Sequence, residues 1–286
     1  MVIDSHIHPA FLEELHSSRE QLEYCRQETG LYKTDAIRAQ QWFHACDYGG
    51  IDRMFLLPLD LTTVSGGCLC TNEQAAALAE AYPRRFISFA SVDPHRKDAL
   101  QVVEKAFGEL NLAGLKLHPS KQRFYPDDPA MDRIYELCVK YDKPVILHCG
   151  VSMEPGTLSA YAHPLRVEQT AYRYPKLRIC LAHFGWPWVR EVCMLMLKYR
   201  NIYTDTALLY FDNPREFYHQ CFQVDMGPHW LERSLRHQVM FGSDEPRLEQ
   251  LRMLRAIREM DLRESTKRMI LGENALEFLR GGRVHD

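Results

Sequence analysis

The chain alternates between short apolar segments and longer amphipathic segments from one end to the other. Eight of the apolar segments have the length of β-strands, and a segment with helical periodicity follows each of them. Their apolar residues run on almost without a break, which is typical of strands covered on both faces of a parallel sheet. The eight segments are 2–8, 53–58, 85–92, 113–118, 143–148, 177–183, 201–205 and 238–242.

This alternation has no linker or low-complexity interruption, so it predicts an α/β fold with a single domain over residues 1–286. Eight strand–helix units are the number that closes a (β/α)8 barrel, the TIM barrel. The alternative is a doubly wound open sheet. The sequence has no Gly-x-Gly-x-x-Gly after a strand and no P-loop motif, which are common phosphate-binding sequences of such sheets. We therefore favour the barrel.

The composition restricts the partners of such a domain. The chain has 286 residues, of which 46% are hydrophobic, enough for a sizeable core. Its formal net charge is -3 and it has no basic block, which argues against a nucleic acid or an anionic membrane as partner. No apolar run approaches the ~20 residues that span a bilayer, and the N-terminus enters directly into a strand. We expect a cytoplasmic protein that acts on a small molecule.

Side chains that carry chemistry stand at the C-terminal ends of the strand segments. In a parallel barrel these ends meet at one mouth, where barrels of this type place their active sites. His6 and His8 are two residues apart on the first strand and therefore share one face. The others are Lys116 and His118 on the fourth strand, His148 on the fifth, His183 on the sixth, Asp205 on the seventh and Asp244 on the eighth.

Each of these residues alone is weak evidence, because a histidine after an apolar segment is more often a hydrogen-bonded structural residue than a ligand. The joint pattern is stronger: five of the 13 histidines fall at strand ends, and a carboxylate ends the last strand. Histidine is also the commonest side-chain ligand of metals. The pattern therefore predicts a metal site at the mouth.

In the same segments the chain resembles the amidohydrolase superfamily, in the amidohydrolase-related branch. That branch includes the aminocarboxymuconate-semialdehyde decarboxylases and many metal-dependent hydrolases. The resemblance extends over essentially the whole chain. Its motifs are Ile3-Asp-Ser-His-Ile-His8, Ser91-Val-Asp-Pro94, Gly114-Leu-Lys-Leu-His-Pro119, Leu147-His148, Ala182-His-Phe-Gly185, Gly242-Ser-Asp-Glu-Pro246 and Ile270-Leu-Gly-Glu-Asn-Ala275.

The resemblance implies one divalent metal ion held by four residues, and relatives of this kind are often homodimers. It also implies that His183 is a second residue at ligand distance or an acid–base group. Nitrogen and oxygen ligands suit zinc, which we expect first, and also manganese, nickel or iron. The implied ligands are His6, His8, His148 and Asp244.

Lys116 leaves two alternatives open. In binuclear members of the superfamily a carboxylated lysine on the fourth strand bridges two metals, and Lys116 stands on that strand. In the related branch the site is mononuclear and lacks that lysine, so Lys116 would instead bind a substrate carboxylate or phosphate. We favour one metal over two.

The hypothesis that follows is hydrolysis of a small anionic ester, amide or lactone by a metal-activated water. The metal would lower the pKa of the water from ~15.7 toward ~7. Asp244 would act as general base, and His183 would polarise the substrate carbonyl or stabilise the oxyanion. The candidates for binding the anionic group are Lys116, His118 and Arg247.

Two alternatives remain. Non-oxidative decarboxylation of an aromatic or muconate-type acid would use the same metal ligands, so the ligands alone do not separate it from hydrolysis. A barrel that binds a ligand without turnover is the alternative from another class. The complete ligand set argues against it, because a binding protein has little need of all four residues.

Overall fold

In the computed structural model, residues 1–16, 18–154 and 156–281 are described. The barrel strands are shorter than the sequence segments that predict them, and their centres coincide. The strands are β1 (Ile3–Ile7), β2 (Arg53–Leu56), β3 (Asp60–Leu61), β4 (Gly67–Cys68), β5 (Phe86–Ser88), β6 (Ala90–Ser91), β7 (Leu115–Leu117), β8 (Val145–Leu147), β9 (Ile179–Leu181), β10 (Ile202–Asp205) and β11 (Val239–Met240).

Helices follow the barrel strands as expected. Short 3-10 and π-helical turns extend several of them. The α-helices are α1 (Arg19–Thr29), α2 (Ala39–Gly49), α3 (Thr62–Ser65), α4 (Asn72–Ala81), α5 (Ala99–Gly108), α6 (Pro119–Gln122), α7 (Asp132–Lys140), α8 (Glu168–Arg173), α9 (Val189–Lys198), α10 (Pro214–His219), α11 (Gln250–Glu259), α12 (Glu264–Arg268) and α13 (Asn274–Arg280). In the described part of the chain, no helix is long and apolar enough to cross a membrane.

Parallel strand pairs and single hydrogen bonds together close the barrel. The order β1-β2-β5 forms one parallel group and β11-β10-β9-β8-β7-β6 forms the other. Phe89 separates β5 from β6, and its amide donates to the Leu56 carbonyl at 2.9 Å, which joins the two groups. At the other seam, the Ser5 amide donates to the Phe241 carbonyl at 2.8 Å. With β5 and β6 counted as one strand, the predicted (β/α)8 barrel is confirmed.

Alternation along the strands decides which residues face the barrel interior. Ile146 packs with the cluster that fills the interior, whereas its neighbours Val145 and Leu147 pack with the larger cluster under the helices. Residues two positions apart face the same way. His148, two residues after Ile146, therefore follows the interior side of its strand. Phe278 of α13 packs into the same interior cluster.

Above the mouth, α1 and the β3–β4 hairpin pack on each other through a small apolar cluster. The cluster contains Phe11, Cys25, Leu61 and Leu69. α1 begins at Arg19, because the Ser18 side chain caps the helix by accepting from the Gln21 amide at 3.3 Å.

Candidate metal centre and active site

The two histidines of β1 converge on the carboxylate that follows β11. Nε2 of His8 lies 3.4 Å from Oδ1 of Asp244, and Nε2 of His6 lies 3.7 Å from the same oxygen. Gly242 makes this approach possible, since a Cβ atom at that position would stand 2.9 Å from Cβ of His6. The structure therefore brings together three of the four implied ligands on the first and last strands.

The second ring nitrogen of each histidine identifies its tautomer. Nδ1 of His8 lies 3.0 Å from the Leu57 carbonyl, and Nδ1 of His183 lies 2.5 Å from the Ala207 carbonyl. A carbonyl oxygen only accepts, so both Nδ1 atoms carry the proton. Nε2 of a neutral ring then holds a lone pair. Nδ1 of His6 lies 2.8 Å from a carboxylate oxygen, Oδ2 of Asp205. A carboxylate also accepts, so Nδ1 of His6 carries the proton and Nε2 holds the lone pair.

Burial keeps four of the rings at the mouth neutral, those of His6, His8, His118 and His148. It lowers the pKa of His8 and, further, those of His6, His118 and His148. The Coulombic effect of Lys116 adds to that of burial at His6. Neutral imidazole is the form that binds a metal ion.

The lone pairs at the mouth fit a cation. With neutral rings, Nε2 of His6 and Nε2 of His8 are acceptors that lie 3.7 and 3.4 Å from a third acceptor, Oδ1 of Asp244. Acceptors that face each other are unfavourable unless a positive charge lies between them. Nε2 of His148 is buried, and it has no hydrogen-bond partner among the residues that the structure describes. His148 also lines the cavity that contains His8 and Asp244. These four side chains could hold one divalent ion.

His118 has the opposite chemistry, although its ring stacks on that of His148 with centroids 3.8 Å apart. Its Nδ1 accepts the backbone N–H of Lys121 at 3.2 Å, at the start of α6. In the neutral ring the proton then sits on Nε2, which has no lone pair for a metal. His118 is therefore a hydrogen-bond donor in the cavity.

Asp205 stands at the end of the seventh strand segment without a predicted role, and it positions two of the histidines. Besides His6, its carboxylate accepts the backbone N–H groups of His183 at 2.7 Å and Ala207 at 3.2 Å. These three bonds occupy both oxygens, so Asp205 is a support for ligands. The bond to His183 also fixes a left-handed turn, with φ at 60° for His183 and 49° for Phe184.

Lys116 reaches the ligand cluster itself. Its Nζ atom lies 3.3 Å from Nε2 of His6 and donates to that lone pair. Burial lowers the pKa of Lys116 to about 8, and the carboxylates of Asp205 and Asp244 oppose this effect. Its position is compatible with both expected roles, a carboxylated ligand and a cation for a substrate.

Arg247 and two residues missed by the sequence analysis line the outer part of the same cavity. Arg247 Nη2 lies 2.9 Å from Oε1 of Glu154, and Lys121 Nζ lies 3.7 Å from that oxygen. Nε of Arg247 lies 3.6 Å from Oδ2 of Asp244, which leaves Oδ1 to the histidines. The available signal was spacing: Lys121 and Arg247 each follow a strand-end residue, His118 and Asp244, by three positions. Glu154 had no such signal.

A model of the family described as amidohydrolase matches residues 3–281. The chain belongs to the amidohydrolase family. A curated relative is the 2-amino-3-carboxymuconate-6-semialdehyde decarboxylase of Dictyostelium discoideum, 26% identical over 236 residues, which cover 73% of this chain and 65% of that protein. The match thus spans less than two thirds of the length of the relative.

Two solved structures resemble this member of the amidohydrolase family over nearly their full lengths. An uncharacterised TIM-barrel protein of Bordetella bronchiseptica is 19% identical, with 97% of this chain and 98% of that chain covered and a TM-score of 0.78. The 5-carboxyvanillate decarboxylase of Sphingomonas paucimobilis is 16% identical, with 98% of each chain covered and a TM-score of 0.67. At these identities they establish the fold alone. The family resemblance drawn from the motifs is confirmed.

Proposed function

We propose that this amidohydrolase-family member is a non-oxidative decarboxylase of an aromatic or muconate-type carboxylic acid. It would hold one divalent metal ion with His6, His8, His148 and Asp244. The curated relative supports decarboxylation in preference to the hydrolysis that the motifs alone suggested, since that protein is a decarboxylase. Zinc, manganese, nickel and iron all suit this set of nitrogen and oxygen ligands.

The observation that carries the proposal is the chemistry around the ligand cluster. A decarboxylase needs donors for an anionic substrate and a group that delivers a proton to carbon. The N–H donors at the mouth include His118 Nε2, Lys116 beside His6, and Arg247 beside Asp244. His183 lines the same cavity. A carboxylic acid therefore finds both requirements in one place.

A divalent ion bound at this site would supply Lewis acidity that stabilises negative charge on the substrate. The cationic side chains would orient the acid, and the buried walls would keep water from the reacting carbon. As the bond between that carbon and its carboxylate breaks, CO2 leaves and the electron pair stays on the carbon. This carbon then takes a proton. His183 can exchange a proton only at Nε2, because Nδ1–H is held by the Ala207 carbonyl. We therefore assign the transfer to Nε2, which first takes up a proton from solvent and then delivers it to the carbon.

Hydrolysis is the second candidate, and one observation favours it. Oδ1 of Asp244 lies between the two β1 histidines, where a carboxylate could accept a proton from an attacking water. The ligand cluster would be the same in both reactions.

The test is product analysis on protein reconstituted separately with zinc and with manganese. Aromatic and muconate-type acids are offered, and released CO2 is measured together with the substrate consumed. Equal amounts of CO2 and consumed acid support decarboxylation. Turnover of esters, amides or lactones without CO2 would favour hydrolysis. If protein with full metal content turns over none of these compounds, the result would favour the remaining alternative, a barrel that binds a ligand without turnover.

A further inference from the structure

At the outer end of the cavity, two cationic side chains from different parts of the chain approach one oxygen of a glutamate side chain. Oε1 of Glu154 accepts from Nη2 of Arg247 at 2.9 Å and lies 3.7 Å from Nζ of Lys121. Lys121 belongs to α6, Glu154 to the loop after β8, and Arg247 to the segment after β11. We call these three residues the ionic triad. Its net charge is +1.

The two cations are held in place without Glu154. Lys121 Nζ donates to the carbonyl of Glu28, and Arg247 Nη2 donates to the carbonyl of Thr29 at 2.9 Å. Both carbonyls stand at the C-terminal end of α1, where the helix dipole favours positive charge. The cations would therefore keep their positions if the carboxylate between them left.

Glu154 is the member of the triad that can be replaced. In the described part of the chain, the polar partners of its side chain are the two cations and Ser152, a residue of its own loop, at 3.0 Å. Burial alone would raise the pKa of Glu154, but Lys121 and Arg247 outweigh that effect and hold it below its usual value. The side chain is thus an ionised carboxylate that only two charge contacts attach to the barrel.

The size of the cavity requires a rearrangement before a substrate can enter. The part lined by His8, His148, Glu154 and Arg247 has a volume of about 60 Å³. Pockets for small organic ligands have roughly 300–1,000 Å³. Moving Glu154 outward with its loop would open the cavity. It would also take from the buried Lys121 its carboxylate partner and leave Arg247 with its longer contact to Asp244.

We propose that the ionic triad is a carboxylate-exchange site, in which a second carboxylate of the substrate replaces Glu154 between Lys121 and Arg247. Glu154 thereby selects acids that carry a second anionic group within reach of Lys121 and Arg247. A dicarboxylic acid replaces the carboxylate of Glu154 with its own, whereas a monocarboxylic acid bound at the metal leaves Lys121 without a carboxylate and Arg247 with Asp244 alone. This inference rests on the proposed function, since it names the class of acid that the decarboxylase takes.

The test is calorimetric binding to the metal-loaded full chain, with benzoate and the three benzene dicarboxylates as probes. We expect at least one dicarboxylate to bind about 10-fold more tightly than benzoate. Glu154→Gln keeps the shape and removes the competing charge, so it should tighten that dicarboxylate about a further 10-fold and leave benzoate unchanged. Lys121→Met and Arg247→Gln should each abolish the preference. Lys105→Met, which removes an exposed cation paired with Glu73, is the matched control and should preserve it.

The proposal is overturned if no dicarboxylate binds more tightly than benzoate, or if Glu154→Gln changes all four affinities equally. Thermal unfolding and metal content show whether each variant is folded. If either Lys121→Met or Arg247→Gln fails to fold, the other variant still tests the loss of a cation. The same acids are assayed separately for CO2 release. A charge-dependent preference without CO2 from any of them would reject the decarboxylase and retain the exchange site, whereas CO2 release without a preference would reject the exchange site alone.

Discussion

Nδ1 of His6 lies 2.8 Å from Oδ2 of Asp205, and both side chains are completely buried. The carboxylate holds the proton on Nδ1, so Nε2 is left with a lone pair beside Asp244. The other oxygen of Asp205 accepts the amides of His183 and Ala207. One carboxylate on β10 thus orients side chains from β1 and from the turn after β9.

Asp205→Asn should weaken metal binding by about 10–100-fold. An amide has one acceptor oxygen, so its NH2 group must face either the His6 ring or the backbone amides, all of which donate. Metal affinity is measured by competition with a chelator. Asp212→Asn, an exposed acid on the same chain, is the control and should bind metal as the wild type does. Unchanged affinity in Asp205→Asn would contradict the positioning role.

The stacked pair His118 and His148 should separate metal binding from substrate binding. His148→Ala removes the unpartnered Nε2 and should lose most of the bound metal. His118→Asn keeps an acceptor for the Lys121 amide but removes the Nε2 donor, so metal content should stay and KM should rise, by about 10-fold for one lost hydrogen bond to an anion. Elemental analysis and steady-state kinetics measure the two effects. Loss of metal in His118→Asn would assign His118 to the ligands.

Lys116→Met tests the two roles left open for this lysine. If Lys116 is a cation beside the site, the neutral side chain removes a charge that repels the metal, and affinity should rise by about 10-fold. Activity should fall because an anion-binding group is lost. If Lys116 were a carboxylated ligand, metal content of the wild type would approach two ions per chain, and that of the variant would drop.

Metal affinity should change little between pH 7.5 and pH 6.0. Three histidine ligands with an ordinary pKa near 6.5 would lose roughly 50-fold in affinity over this range, as their rings become protonated. Burial lowers the pKa values of His6, His8 and His148, so these rings remain neutral as the pH falls through 6.5. Chelator competition across the range measures the slope. A 50-fold loss would show that the rings titrate as exposed histidines do.

The sequence predicted the barrel and the meeting of His6, His8 and Asp244, because both follow from local regularities. Buried strands have continuous apolar segments, and parallel strands present their carboxyl ends together. The same regularities could not predict the β3–β4 hairpin, whose strands have two residues each, too few for an alternating pattern to be recognised.

Two features of the site were also beyond reach of the sequence, for the same reason. Glu154 meets Lys121 and Arg247 through loops, and no periodicity relates a loop residue to its partners. The choice between ligand and donor for His148 and His118 depends on which ring nitrogen is already bonded. That information is a distance to the Lys121 amide, and a residue type at a strand end does not contain it.

The hydrogen bond from Ser5 to Phe241 joins residues 236 positions apart, at the seam between the first and last strands. An ion bound by His6, His8 and Asp244 would lie across that seam and act as a clasp on the two ends of the polypeptide. Its binding free energy would then add to the free energy of unfolding of the barrel. When the ion is removed, amide hydrogen exchange should become faster in β1 and β11 before it does so in the strands on the opposite side of the barrel.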